Sequence, residues 1–346
     1  MKAVQKLEHG VGYLGYVEVE EPKIAPGSVK IKVEYCGICG SDLHIVGGFE
    51  TPTSPLPIPF TMGHEYSGTI AEIGDGVTQF KVGDRVTGIV TKGFCGKCRS
   101  CLMGDIGRCQ DAINIGYECD GAMAEYICMP EGATFKLPDN VSLEEGALVE
   151  PAAVVAHAVL ENVDIKPTDT VVVMGAGPIG LLVLQFAKAC GAKTILADIS
   201  SANARLELGK KLGADYTFEN DKCNVIQEVR ALTFGKGADF VFECTGVDIV
   251  ITQSIMMTKR AGTIVELALT SAEGSNIKAY IVAVMQNMRI QFSYGHNLGT
   301  WKKTLQMMAD GRINTKDLVT HKFKFEDFNE AFECNDANKI KVLLHP

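Results

Sequence analysis

The chain has 346 residues, nearly half of them hydrophobic, and this length predicts two domains with substantial cores. Its formal net charge of -9 argues against binding to nucleic acid or to an anionic membrane surface, and no apolar run is long enough to cross a bilayer. The first residues lack the apolar core of a signal peptide, so we expect a cytoplasmic protein whose twelve cysteines stay reduced and whose clustered cysteines bind metal.

Residues 1–150 are predicted to form an irregular β-rich domain. Residues 29–35 alternate between apolar and polar side chains, as expected of a half-buried strand, and similar strands are predicted at 66–73 and 85–90. Glycine and aspartate residues between these segments indicate tight turns. A proline cluster excludes a helix and predicts a loop at Pro52, Pro55, Pro57 and Pro59.

Four closely spaced cysteines lie in residues 93–110, at Cys95, Cys98, Cys101 and Cys109. Four thiolates complete the tetrahedral shell of zinc and leave no position for a substrate, so this pattern predicts a structural zinc site. A redox pair and four unrelated core cysteines are the alternatives. The redox interpretation is weaker because no thioredoxin-like βαβ unit surrounds these residues.

A second set of metal-binding side chains is dispersed along the same domain. Cys39, the pair His64 and Glu65, and Glu150 offer sulfur, nitrogen and oxygen donors. Such a mixed set binds a catalytic zinc that keeps one position open. Taken alone, a histidine such as His64 is more often a structural residue than a metal ligand, and we interpret Cys36 as a small buried residue.

The clearest pattern of the second half is an apolar strand at 171–174 that runs into a glycine-rich turn. Gly175 allows the tight turn, Gly177 lets the backbone approach a pyrophosphate, and Gly180 lets the following helix pack close to the strand. A second strand then ends at Asp198, where a carboxylate accepts the ribose hydroxyls of NAD in preference to NADP. The helix N-terminus favours the phosphates. This order predicts a dinucleotide-binding unit.

Strands and helices continue to alternate beyond this unit, which predicts a doubly wound parallel sheet with helices on both faces. Helices are predicted at 201–213, 222–232 and 248–259, and strands at 214–218, 238–243, 263–268 and 289–294. The tail is predicted to contain helices at 300–308 and 327–333 and a last strand at 340–344.

Taken together, these motifs resemble the zinc-containing medium-chain dehydrogenase family, and within it the sorbitol, butanediol and threonine dehydrogenase branch. The resemblance covers nearly the whole chain and rests on residues 36–44, 63–65, 145–151, 175–180, 243–246 and 318–321 together with the four cysteines. It implies an α/β protein with a GroES-like catalytic domain and a Rossmann domain. The catalytic domain would comprise 1–150 and 295–346, with the zinc lobe at 93–110, and the Rossmann domain would comprise 151–294.

The resemblance also implies roles for individual residues. Cys39 and His64 would bind catalytic zinc, Glu65 and Glu150 would bind it directly or through water, and Asp42 would orient His64. Ser41 and His44 match positions that pass the alcohol proton to solvent, although a turn hydroxyl and a solvated loop histidine are the simpler interpretations. The implied cofactor residues are Gly175, Gly177, Pro178, Ile179, Gly180, Asp198, Arg205, Thr245 and Leu267, of which Arg205 is also explained by a solvated helix face.

The function implied is zinc-dependent hydride transfer between a secondary alcohol and NAD, with two zinc ions per subunit and a homotetramer or homodimer. A polyol such as sorbitol is the expected substrate, with 2,3-butanediol or L-threonine as alternatives. Two departures weaken the polyol expectation. Sorbitol dehydrogenases carry an Arg-Tyr pair after the last sheet strand and a tyrosine after the zinc cysteine loop, whereas this chain has Ser293-Tyr294 and residues 45–48 without a tyrosine. A metal-independent enone or quinone reductase and a non-enzymatic zinc-binding protein remain as rivals.

Overall fold

A computed structural model describes residues 1–49, 55–270 and 276–346, so the predicted loop proline Pro52 lies outside the described residues. The chain divides into two compact units. Unit 1 comprises Met1–Pro151, Asn297–Ala309 and Thr315–Pro346, and unit 2 comprises Ala152–His296 and Asp310–Asn314. Among the described residues, every helix is too short or too polar to span a bilayer.

The strands, in chain order, are β1 Lys2–Lys6, β2 Leu14–Glu18, β3 Ser28–Gly37, β4 Phe60–Thr61, β5 Glu65–Ile73, β6 Arg85–Gly88, β7 Thr91–Gly93, β8 Ile113–Asn114, β9 Tyr126–Pro130, β10 Thr134–Lys136, β11 Thr170–Met174, β12 Lys193–Asp198, β13 Tyr216–Glu219, β14 Ala238–Glu243, β15 Thr258–Glu266, β16 Arg289–Phe292, β17 Val319–Lys324 and β18 Lys341–His345. The α-helices are α1 Gly40–Val46, α2 Arg99–Leu102, α3 Leu143–Gly146, α4 Val149–Leu160, α5 Pro178–Ala189, α6 Asn203–Lys211, α7 Val225–Leu232, α8 Asp248–Met257, α9 Tyr280–Met285, α10 Leu298–Ala309 and α11 Phe328–Glu333. Short 3-10 helices cover Ile106–Arg108, Glu131–Ala133, Ser200–Ala202, Lys316–Leu318 and Phe325–Asp327.

The main sheet of unit 1 has the strand order β10-β6-β5-β3-β18-β17, and β9 also pairs with β3. Its central strand β3 shows the predicted alternation, because Val29, Ile31 and Val33 are fully buried while their neighbours are not. β5 runs antiparallel to β3 on one side and β18 does so on the other. The first residues of β5 and β18 therefore lie near the end of β3, where the chain enters α1.

The sheet of unit 2 is parallel throughout, in the order β13-β12-β11-β14-β15-β16. Every residue of β11 is buried, as expected of a central strand covered on both faces. From β11 the chain moves first towards β13 and then, after β14, towards β16. Ligands of such sheets bind at the carboxyl ends of the strands where this reversal occurs, here β11 and β14. The predicted doubly wound α/β class is confirmed.

Several predicted boundaries are wrong. β15 begins at Thr258 instead of 263. The prediction missed its first residues because this polar segment lacks strand periodicity and contains Ala261 with φ 56°. The helix predicted at 201–213 is a 3-10 turn followed by α6, and the strand predicted at 85–90 ends at Gly88. Helix α4 was not predicted, because it is buried on nearly all sides and so shows no polar period.

Candidate metal and cofactor sites

Three of the predicted donors come together in unit 1. One ligand atom from each of Cys39, His64 and Glu65 lies within 4.8 Å of the other two. Glu150 is not part of this group, although it lies close enough for its charge to act on His64 and Glu65. Sulfur, nitrogen and oxygen donors at such separations fit zinc, which accepts all three kinds of ligand.

Local backbone geometry fixes the two stronger donors. Cys39 is the N-cap of α1, and its amide donates to Oδ2 of Asp42 at 2.8 Å, which closes a capping box. His64 follows Gly63, whose φ of 89° suits glycine. A Cβ at Gly63 would approach Cys36 Sγ to 2.7 Å, so Cys36 is the small buried neighbour of this turn.

His64 and Asp42 form a buried pair that fits a metal on the other ring nitrogen. Nδ1 of His64 and Oδ1 of Asp42 are 4.0 Å apart, and neither atom has a hydrogen-bond partner. Burial lowers the pKa of His64, but the hydrogen bond with Cys39 and the charges of Cys39, Asp42 and Glu150 outweigh it and raise the pKa to about 10. The surroundings therefore favour positive charge at this imidazole, and a metal ion provides that charge when it displaces the proton.

A buried lysine that the sequence analysis missed lies against Glu65. Nζ of Lys341 forms an ion pair with Oε2 of Glu65 and donates to the carbonyl oxygen of Ile38 at 2.8 Å. Burial alone lowers the pKa of Lys341, but the charges of Glu65 and Cys39 outweigh it and raise the pKa. Lys341 therefore offsets negative charge in the donor set. The sequence analysis missed this residue because it lies about 300 residues from the donors along the chain.

The two predicted proton-relay residues lie on α1 at positions i and i+3, which places them on one helix face. Both are half-buried. His44 packs against Phe49, with ring centroids 6.0 Å apart. Ser41 instead has a partner that the sequence analysis missed, because Tyr117 donates its phenol proton to Oγ of Ser41 at 2.7 Å.

All four cysteines of the predicted lobe converge. Sγ atoms of Cys95, Cys98, Cys101 and Cys109 lie within 4.8 Å of one another, and all are free thiols. Backbone amides of Lys97 and Cys98 donate to Cys95 and lower its pKa to about 6, whereas burial and the neighbouring thiols raise the pKa of Cys101 to about 12. A thiolate at Cys95 thus favours the protonated form of the neighbouring thiols, because two adjacent negative charges repel each other. A bound divalent cation would offset this repulsion and allow all four thiols to ionise.

In unit 2 the glycine turn has the features expected of a phosphate-binding loop. Gly175 has φ 100°, and a Cβ at Gly180 would collide with the carbonyl oxygen of Gly175. Gly177 is the N-cap of α5 with Pro178 and Ile179 following, and a Cβ built there would meet nothing within 4 Å. The space beside Gly177 is therefore open, as binding of a pyrophosphate at the helix N-terminus would require.

The other predicted cofactor residues lie at the ends of neighbouring strands or contact one another there. Asp198 ends β12, and its carboxylate accepts from the amides of Ala176 at 2.7 Å and Ile199 at 2.8 Å. Arg205 lies 3.8 Å from Asp198, and its Nε is buried without a partner. Thr245 follows β14 and donates its hydroxyl to Glu243, whose backbone oxygen accepts from the amide of Leu267 at 3.0 Å. Thr245 also lies beside the position that a Cβ at Gly175 would fill.

Comparisons with known proteins agree with this architecture. The chain matches the family models "Alcohol dehydrogenase GroES-like domain" over residues 25–139 and "Zinc-binding dehydrogenase" over residues 178–310. It is 35% identical over 347 residues to a sorbitol dehydrogenase of Halalkalibacterium halodurans, covering 100% of this chain and 99% of that protein. The expected GroES-like domain is thereby confirmed.

Solved structures cover the chain equally well. The 2R,3R-butanediol dehydrogenase from Bacillus subtilis has 34% sequence identity and a TM-score of 0.88, covering 100% of this chain and 99% of that one. A short chain alcohol dehydrogenase from Escherichia coli CFT073, complexed with NADH, has 29% identity and a TM-score of 0.88, with the same coverage of 100% and 99%.

Proposed function

The chain belongs to the zinc-binding dehydrogenases of the alcohol dehydrogenase type, and on this premise we propose that it transfers hydride between a secondary alcohol and NAD. The alcohol loses one proton and one hydride, and the products are a ketone, NADH and a proton. The observation that carries the proposal is the convergence of Cys39, His64 and Glu65 within 4.8 Å, in a chain that also has an open glycine turn at a helix N-terminus.

Each donor residue then has a definite task. When bound, zinc lowers the pKa of a hydroxyl that it polarises, and the nicotinamide accepts hydride. Cys39 and His64 would hold the ion, while the Asp42 carboxylate, with Oδ1 4.0 Å from Nδ1 of His64, would favour the tautomer that carries its proton on Nδ1. Glu65 and Glu150 are the two carboxylates that would bind the ion directly or through water.

Ser41 is the group that receives the alcohol proton, since its hydroxyl lies two residues from Cys39 on the first turn of α1. His44 is the next group on the same helix face, and it passes the proton to solvent. Proton transfer by positioned side chains of this kind contributes about 10²–10⁴-fold to a reaction rate.

Cofactor recognition falls to unit 2 in this proposal. Gly175, Gly177 and Gly180, with Pro178 and Ile179, bind the pyrophosphate through backbone amides. Asp198 binds the adenosine ribose and thereby favours NAD over NADP, because a 2′-phosphate beside a carboxylate is repelled. Arg205 adds a contact on the ribose side, and Thr245 and Leu267 line the cofactor site at the ends of β14 and β15.

The proposal includes two zinc ions per chain, one at the catalytic donors and one at Cys95, Cys98, Cys101 and Cys109. The catalytic domain is assigned to 1–150 and 295–346 and the NAD-binding domain to 151–294. We further propose a homodimer or homotetramer. Among the described residues β16 pairs only with β15, and apolar side chains next to this sheet edge are exposed, namely Tyr280, Ile281, Val284, Met285 and Phe292.

A polyol such as sorbitol and a short vicinal diol such as 2,3-butanediol are the two substrates that deserve direct comparison. Ser293 replaces the arginine of the sorbitol dehydrogenase pair, and its side chain is buried and accepts from Asn162 at 2.8 Å. Tyr294 is largely exposed. This segment of unit 2 therefore offers no guanidinium to a long polyol, an observation that favours the shorter diol.

Turnover with purified protein tests the proposal. Sorbitol, xylitol, 2,3-butanediol and L-threonine are each supplied with NAD or NADP, and formation of reduced cofactor is followed by its absorbance. We expect activity with NAD that is lost on chelation and restored by zinc. Full activity after complete removal of zinc, with an enone or quinone as substrate, would instead identify a metal-independent reductase.

A further inference from the structure

Two hydroxyl groups lie side by side next to the metal donors of unit 1. The phenol of Tyr117 donates to Oγ of Ser41 at 2.7 Å, and its ring centroid lies 5.0 Å from that of His64. Tyr117 and Ser41 are both half-buried. The proposed mechanism uses Ser41 but leaves Tyr117 without a task.

The turn that carries Tyr117 is held rigidly against the metal site. The amides of Tyr117, Glu118 and Cys119 all donate to the carbonyl oxygen of Asn114, at 3.4, 3.0 and 3.3 Å. A Cβ at Gly116, whose φ is 74°, would approach the carbonyl oxygen of Gly63 to 2.7 Å, so the turn packs directly on the backbone before His64. The position of the phenol relative to His64 is therefore set by backbone contacts.

The spacing of the two hydroxyls matches a particular substrate chemistry. In a vicinal diol the two oxygens are about one hydrogen bond apart, which is also the separation of the Tyr117 and Ser41 oxygens. Serine and tyrosine hydroxyls each donate and accept. A diol whose reacting hydroxyl lies beside Ser41 therefore presents its neighbouring hydroxyl to Tyr117, whereas a simple secondary alcohol has no group to place there.

The chain departs from the sorbitol dehydrogenase pattern at two positions, and Tyr117 reaches the donors from a third. No tyrosine follows the zinc cysteine loop at residues 45–48, and the arginine position is Ser293. Tyr117 brings a phenol to the metal donors from a segment 76 residues away from Ser41. A phenol therefore lies beside these donors although the two positions of the pattern lack their side chains.

Resting on the proposed dehydrogenase function, we propose that Tyr117 determines specificity by binding the second hydroxyl of a vicinal diol substrate, with Ser41 at the first. Tyr117 makes this contact in the ground state and in the transition state alike. Its loss therefore raises KM for diols and leaves kcat nearly unchanged, because uniform binding affects KM alone.

The variant Tyr117→Phe tests this, since it removes one oxygen and keeps the ring against His64. Activity is measured with 2,3-butanediol and with 2-butanol, which differ only in the second hydroxyl. We expect kcat/KM for the diol to fall about tenfold and that for 2-butanol to change less than about threefold, as for loss of one substrate hydrogen bond. In a binding assay on the protein with NADH, read by cofactor fluorescence, the Kd of the diol rises by a similar factor.

Controls separate specificity from positioning and from failure of the proposed function. Tyr216→Phe, in which the altered residue begins β13 in unit 2, should leave both substrates unaffected. Ser41→Ala should lower kcat for both substrates equally. If Tyr117→Phe lowered kcat/KM equally for both substrates, Tyr117 would only position Ser41, and the proposal would be overturned. The proposal would also be overturned if kcat/KM changed for neither substrate.

The unaltered protein gives a second test if Tyr117→Phe does not fold. The kcat/KM of the unaltered protein for 2,3-butanediol should be about tenfold higher than its kcat/KM for 2-butanol. For 1,3-butanediol, whose second hydroxyl is further away, the increase over 2-butanol should be much smaller. Equal values for the three alcohols would overturn the proposal. Absence of turnover with every alcohol would contradict the dehydrogenase function itself and is recognised before any variant is made.

Discussion

Replacement of Lys341 by methionine should destabilise unit 1 strongly in the metal-free protein. The side chains of Lys341 and Glu65 are only 4% and 1% exposed, so the variant leaves a carboxylate buried without its cation. Breaking a buried ion pair by removing one partner costs about 3–5 kcal/mol. The double variant Lys341→Met with Glu65→Gln removes the isolated charge, and we expect it to recover all but about 1–2 kcal/mol of that loss.

Urea unfolding followed by tryptophan fluorescence measures these free energies selectively. The single tryptophan of the chain, Trp301, is fully buried in α10, which belongs to unit 1. The matched control is Lys322→Met, because Lys322 pairs with Glu144 at 2.7 Å while both side chains stay more than a third exposed. An exposed pair contributes about 0–1 kcal/mol, so this control should unfold almost like the unaltered protein.

The same unfolding experiment is repeated with zinc bound and after chelation. The ion takes over the neutralising role of Lys341, so Lys341→Met should lose less stability with zinc than after chelation. The reasoning is refuted if Lys341→Met without metal lies within about 1 kcal/mol of the unaltered protein, or if Glu65→Gln restores nothing in the double variant.

Three further predictions concern the cofactor, the lobe and pH. Asp198→Ala should lower the ratio of kcat/KM for NAD to that for NADP by about tenfold or more, and an unchanged ratio would contradict the role of Asp198. Cys101→Ser should remove one zinc ion per chain by metal analysis while the catalytic ion stays, and loss of both ions or of neither would contradict two independent sites. Burial and Glu243 raise the pKa of Glu266 to about 7, so the folded protein holds a proton there that the unfolded chain has lost. The stability that this group contributes is therefore present below pH 4.5 and is lost as the pH rises to about 7. Glu266→Gln should raise the free energy of unfolding by about 1–3 kcal/mol at pH 8 and hardly at pH 4. Equal gains at both pH values would contradict this prediction.

Sequence reasoning worked where the chemistry is local. The glycine turn is specified by Gly175 and Gly180 within six consecutive residues, each of which has a steric reason to lack a side chain. The cysteine lobe is equally local, since three of its thiols lie within residues 95–101. Alternating strands and helices likewise predicted the parallel sheet, because its central strands β11 and β14 each have their own apolar run.

Contacts between distant segments could not be predicted from the sequence. Lys341 reaches the carbonyl of Ile38 across 303 residues, and nothing in the pattern of β18 distinguishes it from an exposed lysine. Tyr117 stands in a turn that Asn114 and Gly116 indicate locally, but nothing local indicates its contact with Ser41. Helix α4 was missed for a different reason, since burial on nearly all sides erased the polar period by which helices are recognised.

These failures bear directly on how substrate preference is inferred. The residue roles implied by the sorbitol dehydrogenase pattern assume that a given side chain reaches the site from a given position in the chain. Ser293 and residues 45–48 depart from that pattern, so the side chains from which the pattern predicts polyol binding are absent at these positions. Tyr117 supplies a phenol at the same donors from another turn, 2.7 Å from Ser41. In our proposal, preference for a diol depends on which hydroxyls lie beside the metal donors, and the two missing side chains do not by themselves exclude it.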